Sequence, residues 1–153
     1  MIIRKAIEDD YDQVEKIMKQ VHQLHVEMRS DIYKSVETVL PQDRFLSHIH
    51  NDEIIVAIRD NQVVGVLIYL TRMITGGPVI DRKVLFIDSM AVDEEYRGQG
   101  IGHQLFDYIQ KVCYEKDYDG IELQVNAMNT SAKKMYESYG FTEKSINMEL
   151  LKK

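Results

Sequence analysis

The stretch "VLFIDSMAVDEEYRGQGIGHQLFDYI" (84–109) limits what this chain can fold into more than any other. Its first nine residues are mostly apolar and read as a strand buried on both faces. The run breaks at Asp93, and an amphipathic helical pattern follows over 100–117, with Leu105, Ile109, Val112 and Cys113 on its apolar stripe. The next strand-like run, "GIELQVNA" (120–127), completes a strand–helix–strand crossover, which implies a parallel pair. Gly98, Gly100 and Gly102 fall where the helix must begin. A glycine inside a helix costs roughly 1 kcal/mol relative to alanine. These three therefore serve the turn or clear room for something lying against the backbone.

The remaining segments fit around this unit. "IIRKAI" (2–7) suits a strand. From Asp9 to Met28 the residues Val14, Ile17, Met18, Val21, Leu24 and Met28 follow helical spacing, with Asp9 or Asp10 able to cap. Residues 31–41 carry mixed signals and read as irregular, and a short helix follows Pro41 with Phe45, Leu46 and Ile49 inward. "EIIVAIRDNQVVGVLIYLTRM" (53–73) is a hairpin turning at Asp60-Asn61, and Gly76-Gly77-Pro78 marks a second turn. "TSAKKMYESY" is a helix stopped by Gly140, and "INMELL" reads as a last strand. The order β-α-α-β-β-β-α-β-α-β predicts an α/β protein with a central, mixed, mostly antiparallel twisted sheet. About six or seven strands are expected, with helices on both faces, in a single domain over 1–153.

A net charge of −6 argues against general nucleic-acid binding, which needs a basic face. The start of the chain has no signal-peptide core, and no apolar run approaches the roughly 18 residues of a membrane span, so a cytoplasmic protein is expected. The single cysteine excludes an internal disulfide framework and a cysteine-rich zinc site. His22 and His25 have no third ligand at metal-binding spacing, so no metal is expected.

A strand, a glycine turn and a helix start together gather unpaired N–H groups at the positive end of a helix dipole, and the usual occupant is phosphate. Arg97 adds charge. Two familiar phosphate loops do not fit. The P-loop needs Lys-Ser or Lys-Thr after its last glycine, where this chain has His103-Gln104, and the dinucleotide fingerprint needs G-x-G-x-x-G, where this chain has G-x-G-x-G.

Arg97-x-x-Gly100-x-Gly102 closely resembles the acyl-CoA pyrophosphate loop of the GNAT superfamily of N-acetyltransferases. After the strand "ELQV", the residues Asn129, Ala132, Tyr136 and "YGF" (139–141) resemble that family's second signature at its usual distance. The resemblance covers roughly residues 84–141. It implies a GNAT-like fold, acetyl-CoA as acyl-donor cosubstrate and an amine acceptor, either a small molecule or a protein amine. It implies that Arg97, Gly98, Gln99, Gly100, Ile101 and Gly102 hold the pyrophosphate, and that Met90, Ala91 and Val92 pair with the pantetheine arm where the sheet splays. Asn129 is implied as a pantetheine contact and Lys133, or its neighbour Lys134, as a partner for the adenosine phosphates. Members of this family are often dimers, though nothing in these residues specifies an interface.

The implied reaction is direct attack of an amine on the thioester. Tyr136 matches the family's tyrosine that protonates the departing thiolate. Asp88 interrupts an apolar strand, where a carboxylate must be hydrogen-bonded or useful. It is the candidate base, directly or through water, the alternatives being a loop anchor or an ion pair with Arg72 or Arg82. His22, His25 and Arg29 share one helix face. The resemblance, in which the first helix and the segment after it line the acceptor side, makes them and Asp31 candidates for contacting the acceptor, with one histidine assisting proton removal. Two other readings fit the same residues: a CoA-binding module without catalysis, and transfer of a longer acyl chain.

Overall fold

Asp60 and Asn61 both adopt left-handed backbone, with φ of 52° and 59°, the geometry of the tightest hairpin turns. They join β2 (Ile54–Arg59) to β3 (Gln62–Ile74) in a computed structural model that describes residues 1–152. Before this hairpin come β1 (Ile2–Lys5), α1 (Tyr11–Met28) and α2 (Gln42–His50). After it come β4 (Arg82–Val92), α3 (Ile101–Glu115), β5 (Gly120–Leu123) and α4 (Thr130–Ser138). The strands form one sheet in the order β1-β2-β3-β4-β5. All neighbours are antiparallel except β4 and β5, the pair joined by the α3 crossover.

Both faces of this sheet are covered, which is why its central strands read as continuous apolar runs. Val14 and Ile17 of α1 and Phe45 of α2 pack on Val56, Val66 and Ile68. Leu105 and Ile109 of α3 pack on Ile55, Leu67 and Leu85 of the opposite face. Within β2, Val56 and Ile55 therefore serve different cores, as the two-residue period of a strand requires. At Gly65 of β3 the start of α3 comes so close that an added Cβ would lie 2.9 Å from Ile101 Cγ2.

Three expectations need correction. Among the described residues the sheet has five strands, not six or seven. Residues 141–152 contain no strand, and Ile146, Met148 and Leu150 are 75%, 87% and 97% exposed, so their apolar alternation finds no surface to bury against. The segment is held by its charged residues instead: Lys144 Nζ bonds Glu122 at 2.9 and 3.0 Å, and Glu149 pairs with Arg29 at 2.7 Å. Second, β5 stops at Leu123. Third, Asp10 does not cap α1 through its side chain. Its buried carboxylate accepts from the Ile7 amide at 2.8 Å and from Arg4 at 2.8 and 3.0 Å, tying β1 to the start of α1.

Candidate active site

The site begins where β4 loses a neighbour. Its parallel register with β5 ends at Ile87↔Leu123, while its antiparallel register with β3 continues to Val92↔Gly65. From residue 88 onward, one edge of β4 therefore has no strand beside it. The register with β3 also slips here, with Tyr69 opposite Ile87 and Ile68 opposite Ser89. Asp88 is thus the extra residue of a β-bulge, a device that re-aims a side chain. It is exposed, and among the described residues its carboxylate has no hydrogen-bond or ion-pair partner. Neither alternative partner takes it: Arg82 pairs with Glu122 at 3.2 Å, and Arg72 lies 3.5 Å over the Phe86 ring.

A cavity of about 300 Å³ opens beside this bulge, lined by Asp88, Ser89, Gln124, Asn126 and Tyr136 with His22 and His25 opposite. A second cavity, of about 580 Å³, continues toward the glycine loop. The two share Met90, Ala91, Asn129 and Met135, so they form one channel along the open β4 edge.

At the foot of this channel Gly98 and Gly100 have φ of 76° and 80°, left-handed values that a side chain would strain. Gly100 supplies no capping side chain. The first α3-type bond runs from the Gln104 amide to Gly100 O, at 3.1 Å. The amides of residues 98–103 have no partner among the described residues. Arg97 donates from Nε to Val92 O at 3.2 Å, leaving its terminal nitrogens free beside them.

Asn129 caps α4: its Oδ1 accepts from the Ala132 amide at 3.2 Å, so its NH₂ remains free to donate into the channel. Tyr136, one turn before Tyr139, lines the upper cavity. Burial, and then the neighbouring Tyr139, push its phenol up to about 12. Tyr139 has a different setting. Its ring stacks on Phe106 at 4.8 Å, and its hydroxyl lies 3.3 Å from where a Gly102 Cβ would be. The two tyrosines thus serve opposite ends of the channel.

On the α1 side of the upper cavity, His22 Nε2 lies 2.8 Å from Lys34 O, and the Tyr33 ring sits 5.3 Å from that of His25. Arg29 is bound by Asp31 at 2.7 and 2.9 Å and by Glu149, so neither Arg29 nor Asp31 faces the cavities. Gln99 turns toward Arg59, and Lys133 pairs with Glu143. Neither lines the channel, whereas Met90, Ala91, Val92, Arg97, Gly98, Gly100, Ile101, Gly102 and Asn129 all do.

Residues 18–141 match the acetyltransferase (GNAT) family, a span that includes the open β4 edge, the glycine loop and α4. The chain belongs to this family. Among GNAT relatives, the [ribosomal protein bS18]-alanine N-acetyltransferase of Escherichia coli K12 is 35% identical over 68 residues. That match covers 44% of this chain and 45% of the relative, so the chain spans about half the length of the curated relatives it matches. The crystal structure of a point mutant of the BH1408 protein from Bacillus halodurans superposes with a TM-score of 0.95 at 32% identity, covering 99% of both chains. An aminoglycoside N-acetyltransferase, AAC(6')-Iy in complex with CoA, shares the fold at a TM-score of 0.72 and 16% identity, again over 99% of both chains.

Several lining residues of this GNAT site were not singled out from the sequence, notably Ser89, Gln124, Asn126 and Met135. Gln124 and Asn126 lie in the segment read as strand. The readable signal was their polarity at alternate positions just beyond an apolar run. Among the described residues no group of three His, Cys, Asp or Glu side chains could hold a metal ion, and no helix is long and apolar enough to cross a membrane.

Proposed function

We propose that this chain transfers the acetyl group of acetyl-CoA to a primary amine by direct attack of the amine on the thioester. The observation that carries this reading is the row of unpaired amides at 98–103, lying at the foot of a strand edge left open from residue 88. The amides and the Arg97 guanidinium suit a pyrophosphate. The open edge suits an extended arm bearing amide groups, as in strand addition, with the Asn129 NH₂ as a further donor. The acetyl thioester then lies in the upper cavity, between Asp88 and Tyr136.

Two proton transfers accompany the attack. An alkyl ammonium, with a pKa of about 10.4, must lose a proton before its nitrogen can form the new C–N bond. When the C–S bond breaks, the thiolate needs a proton, and Tyr136 is the group placed to give it. Complete transfer from a phenol at about 12 to a thiol near 8.5 is uphill by roughly 5 kcal/mol. Tyr136 therefore works as a relay: its proton passes to the departing sulfur as it takes up the proton leaving the newly acylated nitrogen, so no free phenolate forms. Asp88, unpaired and exposed, holds the incoming ammonium by charge.

Titration calorimetry with CoA tests the first half of this reading. Free-thiol release from acetyl-CoA with spermidine, lysine, kanamycin and an alanine-terminated peptide tests the second. Absence of heat with CoA, or of thiol release with every amine, overturns it.

A further inference from the structure

Two imidazoles line the upper cavity, and the structure treats them differently. The Lys34 carbonyl can only accept, so His22 must carry its proton on Nε2, where the 2.8 Å contact lies. That bond fastens His22 to the 29–40 loop, which Glu15 also grips through the Val39 and Leu40 amides at 3.2 and 2.9 Å. His25 lies one turn further along α1; its backbone carbonyl accepts from the Arg29 amide at 2.9 Å, but its imidazole has no hydrogen-bond partner among the described residues. Tyr33 packs on it at 5.3 Å with the rings inclined by 34°, which orients the ring without occupying either nitrogen. His25 lines the same cavity as Asp88 and Tyr136 and is half-buried.

We propose that His25 removes the proton from the acceptor ammonium, with His22 and Tyr33 as its positioning residues. This rests on the acetyl-transfer reading and adds the group that makes the nucleophile. Asp88 attracts the ammonium, and an imidazole, whose ordinary range lies near neutral pH, is the better-matched acceptor of its proton. The ammonium N–H bond breaks as His25 takes the proton. The freed lone pair forms the C–N bond, the C–S bond breaks, and the thiolate takes a proton through Tyr136, which the acylated nitrogen restores. His25 then returns its proton to solvent, so one proton is released per turnover.

The charged and titratable groups around His25 are His22 and Arg29 on α1, Tyr33 from the loop, and Asp88 and Tyr136 across the cavity. Arg29 is neutralised by Asp31 and Glu149. Burial, and then His22, hold the His25 imidazole below its ordinary 6.5, so it is neutral and ready at pH 7.

The test compares wild type with His25→Gln and Asp88→Asn, using the panel amine turned over fastest, between pH 5 and 8. Wild-type kcat/KM is expected to fall as pH drops through a value below 6.5. His25→Gln should lose at least tenfold in kcat and lose that break, with KM for acetyl-CoA unchanged, while Asp88→Asn keeps the break and raises KM for the amine. Imidazole added to His25→Ala should restore turnover, which a packing role does not predict. In the free protein, the His25 ring proton should titrate below 6.5 by NMR. A His25→Gln enzyme within twofold of wild type that keeps the break overturns the proposal and leaves acetyl transfer standing. A wild-type chain that binds CoA but releases no thiol with any amine overturns both.

Discussion

Gly65→Ala tests whether the β3–α3 contact sets the position of the anion-binding amides. Gly65 pairs with Ala57 and Val92 within the sheet, so its backbone suits alanine and only space is at issue. The new methyl would lie 2.9 Å from Ile101 Cγ2, 3.1 Å from Leu105 Cδ1 and 3.4 Å from Ala57 Cβ. Carbon atoms prefer about 3.5 Å or more, so the Ile101 contact is short by about 0.6 Å. Cγ2 sits on a β-branched carbon with a stiff first torsion, so α3 must retreat or Ile101 must leave its rotamer. Overpacking costs about 1–3 kcal/mol, and replacing a strand glycine recovers about 0.5–1. A net loss of up to about 2.5 kcal/mol follows, each kcal/mol lowering Tm by roughly 2–4 °C at this chain length. Because Ile101 opens α3, the same displacement moves the amides of 101 and 102. CoA affinity should weaken by about tenfold, near 1.4 kcal/mol. Urea unfolding gives the first quantity and calorimetry the second. Adding Ile101→Leu removes the offending methyl and should restore both. A Gly65→Ala protein that is more stable than wild type and binds CoA equally well would refute the argument.

Gly100→Ala forces a side chain into left-handed backbone, at a cost of about 1–2 kcal/mol, and CoA titration should show roughly tenfold weaker binding. Tyr136→Phe should lower kcat by about a hundredfold while leaving the CoA dissociation constant within twofold. Phe45→Ala removes a fully buried ring shared by α2 and the sheet, and denaturant unfolding should show a loss of about 3–5 kcal/mol. Lys144, then Arg82, hold the Glu122 carboxyl below its ordinary 4.5. The stabilisation from that contact is present above 4.5 and is lost as pH falls through the lower, folded value. By carbon-detected NMR the Glu122 midpoint should lie below 4.5 and rise toward it in Lys144→Met.

Most of the fold was legible because its elements are bounded by local chemistry. The hairpin at Asp60-Asn61, the α1 stripe and the stop at Gly140 depend on neighbours in sequence, and their periods differ sharply. The glycine loop was legible because glycine at 98 and 100 meets a backbone requirement. What was not legible depends on distant partners. The apolar alternation of 146–150 promised a strand, but a strand also needs an edge, and ion pairs to Glu122 and Arg29 hold the segment elsewhere. The roles of Arg29, Gln99 and Lys133 were obscured for the same reason, since Glu149, Arg59 and Glu143 take them up, whereas Asp31 is taken up by Arg29 two residues away. His22 and His25 are alike in sequence, and contacts from residues 33 and 34 of the following loop distinguish them.

Residue 88 has no register partner on either side. Whatever amino acid stands there, the ladders above and below it remain closed, so the codon can drift with little effect on folding. A saturation library at this single position should yield an unusually high share of well-expressed variants with altered acceptor preference. Under the proposed amine acetylation, that would make the bulge the natural starting point for redirecting acceptor choice.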